Sequence, residues 1–363
     1  EWERALLIKP TYFASQKAWE DAGAPHESVF GDPKEPLGAT YHNMEFRLPR
    51  GTAITRYWDN TARKFYHPAA ARANREFPFL PSGRFYRVTE TSHDGNWPRF
   101  DPNYAWAKPY LETIPKGEGY DKELERGKTI GQAWGTIEYQ PNLAQGDLAD
   151  VMAADSTLSL AKAAPFLRAR DAGTGGSAIL DFYSPYVLVD GELDAAFAGP
   201  SGSTTVELRT LTAKPWPSDK DQWSQWQTLP ASDGRLKIEL GRPRFNGKDV
   251  SIHGVYRFQI RVNVKGDSQR RTSGLSELRM KLFFETGIMS IPPLFAGNND
   301  MRFELDDASR LRGPVTISYA YDSKAGKRTT EQRLLPSDFK QGVASFSVRV
   351  PDLTRCNSVS IRY

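Results

Sequence analysis

The alternation of apolar and polar residues predicts β-strands over most of the C-terminal half of the chain. The clearest example is segment 255–264, VYRFQIRVNV, in which apolar and polar side chains fall on opposite faces. The apolar face would carry Tyr256, Phe258, Ile260, Val262 and Val264. The polar face would carry Arg257, Gln259, Arg261 and Asn263. Because a helix repeats every 3.6 residues, this strict alternation favours a strand that buries one face.

Similar segments recur along the chain. Before residue 290 the pattern predicts strands at Ala178–Phe182, Tyr186–Phe197, Thr204–Thr212, Arg235–Leu240 and Leu275–Glu285. After residue 291 it predicts strands at Met301–Leu305, Val315–Tyr321, Glu331–Leu335, Val343–Val350 and Val359–Tyr363. Several of these strands are separated by turns that contain glycine, as in antiparallel sandwiches. We therefore expect a mainly β fold with one or two antiparallel β-sandwiches, immunoglobulin-like or jelly-roll-like.

The N-terminal part is less regular and is rich in aromatic residues and proline. In segment 41–58, Met44, Phe46 and Leu48 alternate with polar residues, and a Pro-Arg-Gly turn follows, which predicts a β-hairpin. A further strand is predicted at residues 134–140. We expect four segments: an irregular aromatic-rich β region at 1–140, a connection at 141–176, a sandwich at 177–290, and a second sandwich or completing strands at 291–363.

Composition and charge narrow the classes of partner. The 48 basic and 44 acidic residues are mixed along the chain, unlike the concentrated basic surface of a nucleic-acid binder. No apolar run reaches the roughly 18 residues of a transmembrane helix, so no membrane span is expected. Cys356 is the single cysteine, which excludes an intrachain disulfide and suits a small buried residue. The abundance of aromatic residues, glycine and proline favours a secreted, periplasmic or cell-surface protein.

Candidate catalytic residues lie in the N-terminal part. A lyase that acts on acidic glycans needs a His or Tyr base, and cationic or amide groups to stabilise the developing charge. Residues of these types are Tyr41, His42, Asn43, Arg56 and His67. The same residues also suit an ordinary hairpin and its loops. The compact motifs of zinc proteases, P-loop enzymes and serine hydrolases are absent from the sequence.

One loop offers hard oxygen ligands for a metal ion. Asp94, Asn96 and Asp101 lie close together in the sequence, and carboxylate and amide oxygens are the ligands that Ca²⁺ prefers. The spacing is not that of an EF-hand, and Asp and Asn are also common turn residues. Calcium is therefore the one cofactor for which the sequence offers candidate ligands.

Aromatic side chains form the other candidate ligand surface. Flat rings with polar neighbours can stack on sugar rings. The candidate stacking residues are Trp97, Trp106, Tyr110, Trp216 and Trp223. Trp223 and Trp226 are three residues apart, so in an extended strand they would point to opposite sides and one would lie in the core. The arginine-bearing face of segment 255–264 would suit an anionic ligand or would simply be solvated.

The second half of the chain resembles known β-sandwich modules. The segments that carry the resemblance are TVELRTLTAKPWPSDKDQWSQWQTLP, RLKIEL, GVYRFQIRVNV, IPPLFAGNNDMRFEL and VTISYAYD. Over about residues 177–363 they are similar to the sialidase-like and discoidin-like accessory modules of secreted bacterial proteins that act on polysaccharides. The Ser-x-Asp-x-Gly-x-Thr-Trp box of sialidases is absent, so the resemblance does not imply sialidase catalysis.

The sequence thus favours a secreted or cell-surface bacterial protein that binds polysaccharide or helps to process it. Two alternatives remain open. The first is a structural subunit of a surface layer or filament, which would self-assemble. The second is a polysaccharide lyase that acts on acidic glycans.

Overall fold

The computed structural model describes residues 3–5, 7–8, 11–13, 28–32, 35–36, 44–57, 132–153, 157–171, 173–212, 222–241, 251–253, 255–266, 272–287, 294 and 296–363. Within these ranges the chain is mainly β, as the alternation predicts. The helical elements there are short 3-10 turns at Leu143–Gln145, Asp147–Val151, Ala308–Arg310 and Pro336–Asp338. In this part of the chain, no helix has the length and apolar character needed to span a membrane.

The strands are numbered β1 to β22 in chain order. The first eight are Glu3–Ala5, Leu7–Ile8, Thr11–Phe13, Ser28–Asp32, Glu35–Pro36, Met44–Phe46, Thr52–Tyr57 and Gln132–Tyr139. Strands β9 to β17 are Leu158–Leu160, Leu167–Ala169, Gly176–Ala198, Thr204–Thr212, Gln222–Trp223, Gln227–Thr228, Arg235–Glu239, Val255–Val264 and Gly274–Gly287. Strands β18 to β22 are Gly297–Glu304, Val315–Ser323, Gly326–Leu334, Val343–Val350 and Leu353–Arg362.

One antiparallel sheet of 14 strands dominates the fold. Its main path runs β13-β12-β16-β11-β17-β8-β7-β22-β19-β20, with β9, β10, β14 and β15 paired beside it. The early strands β7 and β8 lie between β17 and β22, and β9 and β10 pair beside β17, so one hydrogen-bonded sheet includes strands from all four predicted segments. That the four segments are separate domains stays a prediction.

The 23-residue strand β11 connects two halves of this sheet. Residues 176–183 pair with β16, and residues 187–198 pair with β17. The register shifts between them, where Pro185 has no N–H to donate. At this irregularity the Ser184 hydroxyl accepts a hydrogen bond from the N–H of Tyr186 and donates one to its carbonyl oxygen. A strand that bends in this way can serve two layers of a sandwich.

The alternation in β16 corresponds to the observed burial. Phe258, Ile260 and Val262 are at most 2% exposed and belong to one continuous apolar core that includes both halves of the large sheet. Tyr256, at the start of the strand, is the exception to the predicted apolar face because it is 52% exposed. On the polar face, Gln259 is also buried, so this face is covered rather than freely solvated.

The hairpin predicted for segment 41–58 is wrong in its pairing. Strands β6 and β7 do form there, but β6 pairs with β1, whereas β7 pairs with β8 and β22. The reason is that β7 is a central strand, with partners on both sides. The turn at Arg50–Gly51 therefore redirects the chain between two sheets instead of closing a hairpin.

Candidate ligand-binding cavity

A cavity of about 280 Å³ lies against one face of the large sheet. Its floor consists of β7, β8 and β17, and its wall consists of loop 47–50, residues 150–151, residues 181–183 of β11, and residues 309, 310, 312 and 363. This volume is just below the roughly 300–1,000 Å³ of typical small-molecule sites, so it has room for one small ring.

The floor follows from strand register. Thr52 of β7 lies opposite Tyr139 of β8, which lies opposite Met280 of β17. Directly opposite residues in antiparallel strands point to the same face of the sheet. These three side chains therefore form one row, and Ile137 and Leu282 belong to the next row and continue the floor as apolar surface.

Two hydroxyl groups of the floor are buried and have no hydrogen-bond partner among the residues that the structure describes. Tyr139 and Thr52 are each 1% exposed, and neither hydroxyl forms a hydrogen bond within the described part of the protein. Burial and the negative charges of Asp150 and Asp147 raise the pKa of Tyr139 well above its usual value, so its hydroxyl stays neutral and can donate. Buried polar groups are nearly always hydrogen-bonded, and both residues line the cavity, so these hydroxyls are available to a polar molecule bound there.

Arg50 lines one side of the cavity and is held there by ion pairs with two carboxylates. Its Nη1 lies 3.0 Å from Asp147 Oδ1, and its Nε donates to Asp150 Oδ2 at 3.1 Å. Burial lowers the pKa of Arg50, but the Asp150 hydrogen bond and the two negative charges outweigh this, and the net shift is upward. Asp147 also accepts the backbone N–H of Asn142 at 2.9 Å, so the arginine is held by a fixed acid.

Arginines outnumber acids around the cavity. Four arginines line it against two aspartates; they are Arg47, Arg50, Arg310 and Arg312 against Asp150 and Asp181. The Arg47 guanidinium lies 3.7 Å from the buried Asp181, at the boundary between the cavity and β11. With Asp147, which pairs with Arg50 from behind the wall, the described acids number three against four arginines, and the guanidinium groups of the wall are the groups to which an anionic ligand would bind.

Asp181 also belongs to a polar network on β12, β16 and β11. Asp181 lies opposite Gln259, which lies opposite Arg209. Asp181 accepts hydrogen bonds from Arg257 at 2.7–3.1 Å and from Gln259 Nε2 at 3.2 Å. One register row away, Arg261 Nε donates to Glu207 Oε2 at 2.6 Å. The carboxylates of Asp181 and Glu207 are thus each held in an ion pair with an arginine.

Two tryptophans cover this network. The Cζ atom of Arg209 lies 4.7 Å from the ring centre of Trp223 and 4.4 Å from that of Trp226. Arg257 lies 5.4 Å from Trp223, and Arg261 lies 4.3 Å from Trp226. These are cation–π distances. We call Arg209, Arg257, Arg261, Trp223 and Trp226 the arginine–tryptophan cluster.

The expectation that Trp223 and Trp226 point to opposite sides is wrong. Both are half-buried and both contact arginines of the same face. The physical reason is that β13 ends at Trp223 and β14 begins at Gln227, so the intervening residues do not belong to a strand and the alternation of faces is interrupted. Here the Ser224 hydroxyl accepts the N–H of Thr210 at 3.0 Å, which holds the break in place.

Most predicted site residues lie outside the described residues. These are Tyr41, His42, Asn43, His67, Asp94, Asn96, Trp97, Asp101, Trp106, Tyr110 and Trp216. Within the described ranges, no group of three His, Cys, Asp or Glu is placed to hold a metal ion. The calcium site stays a prediction.

Arg56, the other catalytic candidate, is described and fully buried. It lies on the same buried face of β7 as Thr52 and Ile54, and its positive charge opposes the rise in pKa that burial causes at Tyr319 and Cys356. Burial is the larger effect on both groups, and it raises the pKa of Cys356 to about 12. Cys356 is thus the small buried residue that the sequence predicts.

The floor of the cavity was not predicted from the sequence. Thr52 and Tyr139 belong to predicted strand segments, and nothing in the local pattern marks their hydroxyls as buried. Asp181 gave a usable signal, since it is an isolated acid within the apolar run of residues 178–182. A charged side chain in a buried strand needs a partner. For Asp181 the partners are Arg257 and Gln259 of the polar network.

Comparisons with known proteins find only weak similarity to this chain. The sequence matches no protein-family model and no curated protein. Among solved structures, the chain is similar to a Bacteroides uniformis β-glucuronidase at 12% identity and a TM-score of 0.16, covering 50% of this chain and 22% of that one.

Two further structures are similar at the same level. A Bacteroides cellulosilyticus glycosyl hydrolase family 2 member is 12% identical, covering 52% of this chain and 22% of that one, with a TM-score of 0.16. A Paenibacillus xanthan lyase is 10% identical, covering 58% and 25%, with a TM-score of 0.15. The chain thus spans about a quarter or less of these longer proteins, and its function has to be argued from its own cavity.

Proposed function

We propose that this protein binds polysaccharide and that the cavity holds one acidic sugar unit. The observation that carries the proposal is a pair of buried hydroxyls, Thr52 and Tyr139, which have no hydrogen-bond partner among the described residues and line a cavity together with arginines. A sugar ring presents hydroxyls that can pair with such groups, and a carboxylate or sulfate matches the positive wall.

The shape and lining of the cavity support a saccharide over a purely apolar ligand. Its floor is apolar at Ile137, Met280 and Leu282, which suits the C–H face of a sugar ring. Its polar groups are the two hydroxyls of the floor, Thr52 and Tyr139, and the charged residues of the wall, to which ring substituents could bind. A secreted or cell-surface location of a bacterial protein belongs to this proposal, as does a contribution of the predicted aromatic residues.

Binding is better supported than elimination. A lyase base needs a pKa near the working pH, whereas the pKa of Tyr139 is raised far above it by burial and by neighbouring acids. The residues proposed for lyase chemistry, other than Arg56, lie outside the described part of the chain. The geometry of the cavity thus suits recognition of a ligand rather than removal of its proton.

The test is affinity electrophoresis and calorimetry with alginate, a uronate polymer, and with dextran, a neutral polymer. We expect retardation by alginate alone, and weaker binding at higher salt because the arginine contribution is screened. Absence of retardation by alginate would contradict the proposal. Ultraviolet-absorbing unsaturated ends released from alginate would indicate the lyase instead, and concentration-dependent assembly without binding would indicate a structural subunit.

A further inference from the structure

We propose that the arginine–tryptophan cluster is a second ligand site, which binds one anionic group of a saccharide, a carboxylate or a sulfate, at the guanidinium of Arg209. Within the described part of the chain, the three arginines of the cluster lie beside two carboxylates, Asp181 and Glu207. Asp181 is bonded to Arg257 and Glu207 to Arg261. Among the described residues, Arg209 is the arginine of the cluster that forms no hydrogen bond or ion pair with a carboxylate.

Arg209 has a neutral partner and unused donors. Its Nε and Nη2 both donate to Gln259 Oε1, at 2.9 and 2.6 Å. A guanidinium has five N–H donors in a planar fork. Two of them bond to Gln259, so with respect to the described residues three N–H groups, on Nη1 and Nη2, are left for a ligand. A planar anion such as a carboxylate, or one edge of a sulfate, fits this kind of fork in a bidentate way.

The surroundings of Arg209 destabilise its positive charge when no anion is bound. Partial burial and the nearby positive charge of Arg261 lower its pKa, and the negative charge of Asp181 compensates only in part. The rings of Trp223 and Trp226 stabilise the cation but cannot neutralise it. A bound anion would therefore be stabilised at the guanidinium edge.

The half-buried rings add a reason to expect a sugar on the anion. Trp223 and Trp226 both retain some exposed surface next to Arg209. A pyranose ring that carries the anion could contact these edges while the anion pairs with the arginine. The saccharide part of this inference rests on the proposed function, whereas the anion part does not.

The experiment follows the side-chain Nε–H signal of Arg209 by nuclear magnetic resonance during titration with sodium sulfate, sodium glucuronate, glucose 6-sulfate and glucose. We expect saturable shifts with the three anions and none with glucose. The Arg209→Gln variant should bind each anion at least about tenfold more weakly. Arg235→Gln is the matched control, because Arg235 is an exposed arginine already paired with Asp194.

Tyr139→Phe separates this site from the cavity. If it weakens alginate binding but leaves the Arg209 shifts intact, the two sites are independent, and failure of one leaves the other standing. Shifts with sulfate but no tighter binding of glucose 6-sulfate than of sulfate would overturn the saccharide part. A wild-type Arg209 signal that does not move with any anion would overturn the whole inference, and this measurement does not depend on whether a variant folds.

Discussion

Replacing Tyr139 by Phe removes a single buried oxygen from the floor of the cavity. The aromatic ring stays, and with it the edge-on contact to Phe182, whose ring centre is 5.6 Å away. Because the hydroxyl forms no hydrogen bond with the described protein, the substitution breaks no protein contact of that group. We therefore expect ligand binding and protein stability to respond differently.

The magnitudes follow from the energy of one hydrogen bond. A neutral hydrogen bond contributes about 0.5–1.5 kcal/mol, so losing it should weaken binding of an alginate oligosaccharide about 2- to 10-fold. If the hydroxyl donates to the sugar carboxylate, about 1.5–3 kcal/mol is lost instead. The free energy of unfolding should change by less than about 0.5 kcal/mol, since no intramolecular bond disappears.

Calorimetry and urea unfolding of the two proteins measure these two effects. Tyr319→Phe is the matched control, because the Tyr319 hydroxyl is likewise buried with no hydrogen-bond partner in the described ranges, but Tyr319 does not line the cavity. It should leave binding unchanged. The reasoning is refuted if Tyr139→Phe lowers the unfolding free energy by more than about 1.5 kcal/mol, as expected for a protein-bonded hydroxyl, or if both variants bind as the wild type does.

Other predictions concern single groups. Thr52→Val should weaken alginate binding by a similar 2- to 10-fold factor in calorimetry without lowering Tm; a lower Tm would show that its hydroxyl has a protein partner. Asp181→Asn should lower the unfolding free energy by about 2 kcal/mol in urea, because Arg257 loses its anion; an unchanged midpoint would contradict the network.

The hydrogen bond from Arg261 holds the pKa of Glu207 below its ordinary 4.5. Wild type should therefore exceed Glu207→Gln in stability above pH 4.5, and the difference should vanish as the pH falls through the lowered folded pKa. A difference that persists in acid would contradict this. A thiol reagent should label Cys356 only after unfolding, because burial raises its pKa to about 12; rapid labelling of the native protein would show that the thiol is accessible.

The strands were predictable because their signal is local. Burial of alternate residues in β16 appears directly in the sequence, and the gap between the predicted strands 178–182 and 186–197 corresponds to the irregularity in β11. The predicted pairing of the two strands in segment 41–58 was wrong because a turn signal does not specify which strands become neighbours.

The cavity was not predictable because its residues come from distant strands. Thr52 and Tyr139 are neighbours only through the register of β7 and β8, and Asp181 joins them from another strand. Likewise, the shared direction of Trp223 and Trp226 depends on a break between two-residue strands, which the spacing alone does not reveal.

The pairing of β7 with β22 has a consequence for biosynthesis. The Thr55 hydroxyl donates to that of Ser360 across a separation of 305 residues. During synthesis on a ribosome, β7 can pair with β8 early, but its other neighbour, β22, is made about 300 residues after β7. Such long-range closure slows folding and leaves a strand edge uncovered in the nascent chain, where chaperones or misassembly compete for it.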